Sequence, residues 1–218
     1  VFTARVLAAF EAEARKVLER HPANKRRQKA DQPVANVVLT RGAGHAHRLV
    51  PLEEAGLPLR LACVSGDRTV LGLARIVGAK LVTKPGMTAN LDTDLRLKFR
   101  AAAKQLRSRD LVLLHVKGAD IAAHDRRPDL KVRFIERVDE EIGRLLADYD
   151  RPIRIAVASD HATLSESGQH GADPVPVLIW GDNIEADEVE TLDEQSGAAG
   201  SLQRFPLQML LGRLFELG

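Results

Sequence analysis

The sequence predicts an α/β fold in which a mostly parallel sheet is sandwiched by helices. Three features support this: short apolar segments alternate with longer amphipathic ones, the short segments are mostly apolar rather than alternating between apolar and polar residues, and the composition is that of a globular protein. Strands covered by helices on both faces have this continuous apolar character. A chain of 218 residues is long enough to bury a substantial core.

The first part of the chain predicts the remnant of a small α/β domain. A helix ending at Pro22 has apolar residues at helical spacing: Leu7, Phe10, Ala14, Val17 and Leu18. The basic segment 24–33 is expected to be a loop, and residues 34–40, VANVVLT, a short strand. We place the domain boundary after residue 54, so that residues 1–54 and 55–218 form separate domains.

The larger segment alternates between strands and helices. Strands are predicted at 59–65, 79–83, 110–116, 153–159 and 175–181, and helices at 68–78, 92–108 and 127–149. Asp92, Thr93 and Asp94 are available to cap the second of these helices. The third helix is expected to bury one apolar face: Val132, Ile135, Val138, Ile142, Leu145 and Leu146.

Composition argues against several classes of partner. The net charge of +2 gives no general case for nucleic-acid binding, and no apolar run approaches the roughly 20 residues of a membrane helix. The single cysteine, Cys63, rules out an intramolecular disulfide and fits a reducing cytoplasm, which is the predicted location. The chain begins with Val1 and leads directly into an amphipathic helix, so we expect it to be a piece of a longer protein.

Two predicted strands end in residues that ligate metals. Asp120 and His124 follow the strand 110–116, Asp160 and His161 lie at the tip of the strand 153–159, and His170 comes nine residues later. Ligands bind outside the carboxyl ends of strands in open α/β sheets. Imidazole and carboxylate together suit Zn²⁺ or Mn²⁺, and five such groups supply most ligands of a two-ion site for phosphoryl displacement. Taken singly, each residue is more often a solvated turn residue.

The same residues lie in motifs that resemble a known family. HVKGADIAAHD (115–125), ASDHAT (158–163) and QHGADPVPVLIWG (169–181) resemble the archaeal-type, cofactor-independent phosphoglycerate mutases of the alkaline phosphatase superfamily. Weaker similarity extends upstream: HPANKRR (21–27), PVANVVLTRGAG (33–44) and LDTDLRLK (91–98). The resemblance implies an incomplete alkaline phosphatase-like core over residues 55–218. Residues 1–54 would then belong to the inserted substrate-binding domain.

The resemblance also implies a ligand set and an activity. One cation would be held by Asp120, His124 and His170, and a second by Asp160 and His161 with an Asp and a nucleophilic Ser. Mn²⁺ is the expected metal, with Zn²⁺ or Mg²⁺ as alternatives. The Ser would take the phosphoryl group from 3-phosphoglycerate as phosphoserine and return it to form 2-phosphoglycerate.

No residue of this chain matches the family's Asp and nucleophilic Ser, so the catalytic residue is unknown. The chain is therefore interpreted as a C-terminal fragment that has no mutase activity alone. Within the first motif, Ile121 and Ala123 replace the usual Glu and Gly, which leaves room for a different substrate.

Candidate contacts to a small phosphorylated substrate are basic residues, because guanidinium groups suit phosphate and carboxylate. Arg41 in LTRGAG is the first candidate, Arg27 (or its neighbour Arg26) the second, and Lys84 in VTKPG could approach the nucleophile. The alternative for each is a solvated surface cation. Two other functions stay open: a related phosphotransferase or phosphatase acting on another small metabolite, and a catalytically inactive metal-binding module.

Overall fold

The computed structural model describes residues 2–40 and 49–216. The chain forms two compact units, Val1–Arg48 and Leu49–Gly218. Within the described residues, none of the helices has the length and hydrophobicity needed to cross a bilayer.

The first unit contains two helices, α1 (Phe2–Arg20) and α2 (Pro22–Lys29). The predicted first helix is confirmed, but the predicted loop is wrong, because residues 24–29 are helical. Pro22 starts the second helix as well as ending the first, since a proline at the first helical turn has no amide hydrogen to lose. His21 caps this helix, its Nδ1 accepting a hydrogen bond from the Ala23 amide at 3.2 Å.

A buried asparagine organises the segment after α2. Asn24 is 5% exposed, and its side-chain amide donates to the carbonyls of Leu18 (2.7 Å) and Ala35 (2.8 Å). Its Oδ1 accepts from the Ala35 amide at 3.0 Å. Residues 34–40 have no strand assignment, so the strand predicted there is wrong; at Ala35 the backbone groups pair with a side chain instead.

The second unit contains a parallel sheet with the strand order β2-β1-β3. Its strands are β1 (Leu61–Val64), β2 (Lys80–Val82) and β3 (Leu111–Leu114). The connections are α3 (Arg68–Ile76) and α4 (Leu95–Leu106), which are capped by Asp67 and Asp94. The predicted α/β class with a parallel sheet is therefore confirmed.

The hydrophobic core lies where α4 packs against this sheet. Val64, Met87, Ala101 and Ala102 are buried there, and partly buried apolar residues surround them: Val82, Leu97, Val112 and Leu114. Cys63 is fully buried in β1, and burial raises the pKa of its thiol.

Two helices follow the sheet, α5 (Gly118–His124) and α6 (Pro128–Asp148). Phe134 of α6 is 2% exposed and lies directly against Gly118 at the start of α5. The predicted apolar face of α6 is wrong at its first turns, since Val132 and Ile135 are about half exposed. Packing on α5 sets the buried face here, because only the glycine at position 118 leaves room for the Phe134 ring.

The remaining strands pair antiparallel. β4 (Arg154–Ala158) pairs with β7 (Val177–Gly181), and β5 (Ala162–Leu164) forms a small hairpin with β6 (Gln169–Gly171). No helix crosses between β4 and β7, and parallel strands usually need such a crossover. Short helical segments follow: α7 (Glu194–Gly197), a 3₁₀ turn (Leu207–Met209) and α8 (Leu210–Glu216).

Candidate metal centre

Asp120, His124 and His170 lie together at one site. Asp120 and His124 are four residues apart on α5, so their side chains project from the same face of the helix. His170 lies at the centre of β6 and reaches the same point from the hairpin. The donor atoms of the three residues all lie within 4.8 Å of one another.

The individual distances suit a single small cation. His124 Nε2 is 3.1 Å from His170 Nε2 and 3.3 Å from Asp120 Oδ1, and His170 Nε2 is 4.0 Å from that oxygen. Two donors at about 2.1 Å from a tetrahedral ion stand about 3.4 Å apart. The three donors therefore surround a volume of the right size before any ion enters.

The ring of His124 is oriented by a backbone carbonyl. Its Nδ1 is 2.7 Å from the oxygen of Gly168, and a carbonyl can only accept, so Nδ1 carries the hydrogen. In the neutral ring, Nε2 then has a lone pair directed toward His170 and Asp120, which is the arrangement of a metal-ligating histidine. Gly168 has φ +70°, and a β-carbon there would stand 2.8 Å from the His124 carbonyl oxygen. A glycine is thus needed for the hairpin to approach α5 this closely.

Asp120 is ionised and held by a hydroxyl. Burial acts to raise its pKa, but the hydrogen bond from Thr163 Oγ1 (2.8 Å) and the neighbouring positive charges lower the pKa below its ordinary value. Lys117 Nζ is one of these charges, 3.6 Å from Asp120 Oδ2. The carboxylate is therefore available as an anionic ligand.

Asp160 and His161 lie beside this group at the end of β4. The His161 ring stacks on His170 with 3.8 Å between ring centroids, and His161 Nε2 is 3.4 Å from Asp160 Oδ2. Asp160 is largely exposed. In the described part of the chain, no third His, Cys, Asp or Glu donor joins these two residues in a group as tight as the first.

Two of the three candidate substrate contacts lie in the described residues. Lys84 follows the carboxyl end of β2 and is exposed. Arg27 lies on α2 in the first unit, where its Nε donates to the Pro33 carbonyl at 2.6 Å. Arg41 lies outside the described residues.

A second cluster of polar side chains, at the carboxyl ends of β1 and β3, was not predicted. In the sequence, His115 has the pattern of an ordinary residue at the end of a strand. Ser65 is fully buried, and its Oγ is 3.1 Å from His115 Nδ1 and accepts from the Asp67 amide at 2.9 Å. Lys98, also fully buried, donates to the carbonyls of His115 (3.1 Å) and Thr88 (2.8 Å). The only sequence signal was the adjacency of Ser65 and His115 to strand ends.

These residues form a packed support for the site's edge of the sheet. Burial lowers the pKa of His115, and burial likewise lowers the pKa of Lys98. Burial acts to raise the pKa of Asp67, but the amides of Val70 and Thr69 lower it below its ordinary value. Lys117 links this group to the metal-ligand candidates, because its Nζ lies 3.9 Å from Asp67 Oδ2 and contacts Asp120.

Comparison with known families identifies the superfamily of this chain. The profile of the metalloenzyme superfamily matches residues 18–211, which include all five candidate ligands. The chain belongs to the metalloenzyme superfamily. Within this superfamily it resembles proteins named 2,3-bisphosphoglycerate-independent phosphoglycerate mutase. It is 38% identical to that of Ignicoccus hospitalis over 92% of this chain and 48% of the relative. It is 34% identical to that of Methanococcus vannielii, over 99% of this chain and 53% of the relative.

Two solved structures share the fold of this chain. A Pyrococcus horikoshii protein matches 99% of this chain and 57% of its own length, with a TM-score of 0.88 and 35% identity. The cofactor-independent phosphoglycerate mutase from Thermoplasma acidophilum matches 99% of this chain and 52% of its own length, with a TM-score of 0.61 and 28% identity. The chain thus spans about half the length of the relatives it matches.

Proposed function

We propose that this chain supplies the metal-binding part of a phosphoglycerate mutase that interconverts 3-phosphoglycerate and 2-phosphoglycerate. The observation that carries the proposal is the convergence of Asp120, His124 and His170, with donor atoms within 4.8 Å of one another. It occurs in a chain that is 34–38% identical to proteins named as such mutases. The cellular location that goes with this function is the cytoplasm.

The five candidate ligands divide into two sets in this proposal. Asp120, His124 and His170 hold one divalent cation, and Asp160 and His161 contribute to a second. The mixed imidazole and carboxylate donors fit Mn²⁺, with Zn²⁺ or Mg²⁺ as alternatives. Cations bound here would neutralise charge on the phosphoryl oxygens and lower the pKa of a coordinated hydroxyl.

The proposed reaction consists of two successive phosphoryl transfers. The hydroxyl oxygen of a serine attacks the phosphorus and loses its proton, the bond from phosphorus to the C3 oxygen of glycerate breaks, and that oxygen takes up a proton. The C2 hydroxyl oxygen then attacks the phosphoserine and loses its proton, the bond from phosphorus to the serine oxygen breaks, and the serine oxygen takes up a proton. We propose that this serine and one aspartate ligand come from outside these 218 residues, since the relatives are about twice as long.

The substrate contacts follow from the charge of phosphoglycerate, which carries a phosphate and a carboxylate. Arg41 and Arg27 would grip these anions from residues 1–54, as part of an inserted substrate-binding domain. Lys84 would act from the core domain, residues 55–218, beside the carboxyl end of β2.

Metal binding tests the first part of the proposal. Calorimetric titration of the chain with Mn²⁺ should give binding that is lost in the double variant His124→Ala, His170→Ala. His21→Asn is a matched control, because it also removes an imidazole while an asparagine still caps α2. Equal binding by the double variant and the unmodified chain would refute the ligand assignment.

Activity tests the second part. The complete protein that contains this chain should convert 3-phosphoglycerate to 2-phosphoglycerate in the presence of Mn²⁺, and the Asp120→Asn variant should not. Generic phosphate esters serve as the comparison substrate. Hydrolysis of both substrates without isomerisation would instead favour a phosphatase.

A further inference from the structure

The Thr163 hydroxyl contacts residues of both candidate ligand sets. Its Oγ1 is 2.8 Å from Asp120 Oδ1 and 3.3 Å from His161 Nδ1. In the hairpin, Thr163 also pairs directly with His170 across the β5–β6 ladder. One buried residue, 6% exposed, therefore adjoins Asp120, His161 and His170.

The direction of each hydrogen bond follows from what each partner can do. The hydroxyl of Thr163 donates its single hydrogen to Asp120 Oδ1, because a carboxylate oxygen can only accept. The oxygen of Thr163 is then an acceptor toward His161. The carbonyl of Ala162, 3.3 Å from the same Nδ1, can likewise only accept. Two acceptors at 3.3 Å therefore favour the hydrogen of the neutral His161 ring on Nδ1 over Nε2, whose acceptor is the exposed Asp160 carboxylate at 3.4 Å. Nε2 then has a lone pair.

The backbone around Thr163 is fixed from two sides. The β5–β6 ladder holds it opposite His170, and Lys131 of α6 donates to its carbonyl at 3.1 Å. The β-branched side chain has few rotamers, so the hydroxyl has a defined position once the backbone is fixed. It is therefore a rigid bridge between Asp120 and His161.

We propose that Thr163 is a positioning residue that couples the two cation sites. It fixes the carboxylate orientation of Asp120 and the tautomer of His161 through one hydroxyl. Because the bridge is shared, ordering of Asp120 by the first cation also orders His161 for the second. This inference rests on the proposed function, which assigns cations to these ligands.

The test removes the hydroxyl while keeping the shape of the side chain. Thr163→Val should weaken Mn²⁺ binding in calorimetry by about 10- to 100-fold, the usual effect of losing a partner of a metal ligand. Thr163→Ser keeps the hydroxyl and should bind within about threefold of the unmodified chain. Thr163→Ala is a second variant without the hydroxyl, for use if the valine variant does not fold. Thr69→Val, at an exposed helix position, is the matched control.

A second measurement separates positioning from general destabilisation. Nitrogen-15 spectra of the metal-free chain should show His161 as the Nδ1–H tautomer, and Thr163→Val should shift the ring toward a mixture of tautomers. An unchanged tautomer and unchanged Mn²⁺ affinity in Thr163→Val would overturn the inference. If Thr163→Val had no effect but the double variant His124→Ala, His170→Ala lost Mn²⁺ binding, the proposed function would stand and only the role of Thr163 would be refuted. If the double variant also bound normally, the metal assignment itself would fail.

Discussion

The close packing of α5 on α6 makes a sharp prediction for Gly118→Ala. A β-carbon at position 118 would stand 2.5 Å from Cζ and 2.6 Å from Cδ2 of the Phe134 ring, and still closer to Cε2. Carbon atoms in ordinary contact are about 3.5–4.0 Å apart, so helix or ring must move by roughly 1 Å. Phe134 is 2% exposed and has little space to yield. Overpacking of this kind costs about 1–3 kcal/mol of unfolding free energy.

The same shift should weaken metal binding, because α5 carries Asp120 and His124. Asp120 Oδ1 and His170 Nε2 are already 4.0 Å apart. Two donors at about 2.1 Å from one ion can be at most about 4.2 Å apart. A movement of α5 by roughly 1 Å away from β6 would therefore separate the pair beyond the reach of one cation.

Urea unfolding and Mn²⁺ calorimetry measure the two effects. Gly143→Ala is the matched control, since it also replaces a helical glycine but a β-carbon there meets nothing within 4 Å. It should be neutral or stabilising by up to about 1 kcal/mol. Phe134→Leu combined with Gly118→Ala should recover part of the lost affinity. If Gly118→Ala matched Gly143→Ala in both stability and affinity, the packing argument would be refuted.

Two further predictions concern charge. Arg60 donates side-chain and backbone hydrogen bonds to Asp110 and lowers the pKa of that carboxyl to about 2, so the stabilisation from this pair is present above the ordinary value of 3.8 and is lost as pH falls through about 2. Carbon-13 titration of Asp110 should show the low midpoint. Arg60→Gln should raise this midpoint only part of the way to 3.8, because the backbone amide of residue 60 still donates to Asp110. Lys98→Met should destabilise the fold by about 1–3 kcal/mol for each carbonyl left without a donor, those of Thr88 and His115. Because burial lowers the pKa of Lys98, the folded protein binds this proton less well than the unfolded protein does. The free energy of unfolding should therefore rise with pH between the lowered pKa and 10.5. Urea unfolding should show this rise relative to Lys98→Met, and an identical pH dependence in the two proteins would contradict the prediction.

Much of the second unit could be predicted from sequence because its signals are local. The segments at β1, β3 and β7 are apolar along their length, and Asp94 stands at the start of α4. Such patterns identify strands and caps without knowledge of their partners. The hairpin β5–β6 was missed because its strands are only three residues long and are defined only by pairing with each other. The helix α2 was not predicted because a proline can end one helix and also begin the next, and Pro22 does both.

The candidate metal site was also predictable from the sequence only in part. The sequence by itself determined which donors are available, because residue type alone decides whether a side chain is a carboxylate or an imidazole. It also placed four of them beside strand ends. The family resemblance implied that Asp120, His124 and His170 share a cation, but no local pattern in the sequence shows it. The tertiary structure brings the three residues to one point, although His170 is 46 residues from His124 along the chain. Their meeting depends on the close approach at Gly168 and Gly118, and the role of Thr163 depends on two hydrogen bonds that no local pattern encodes.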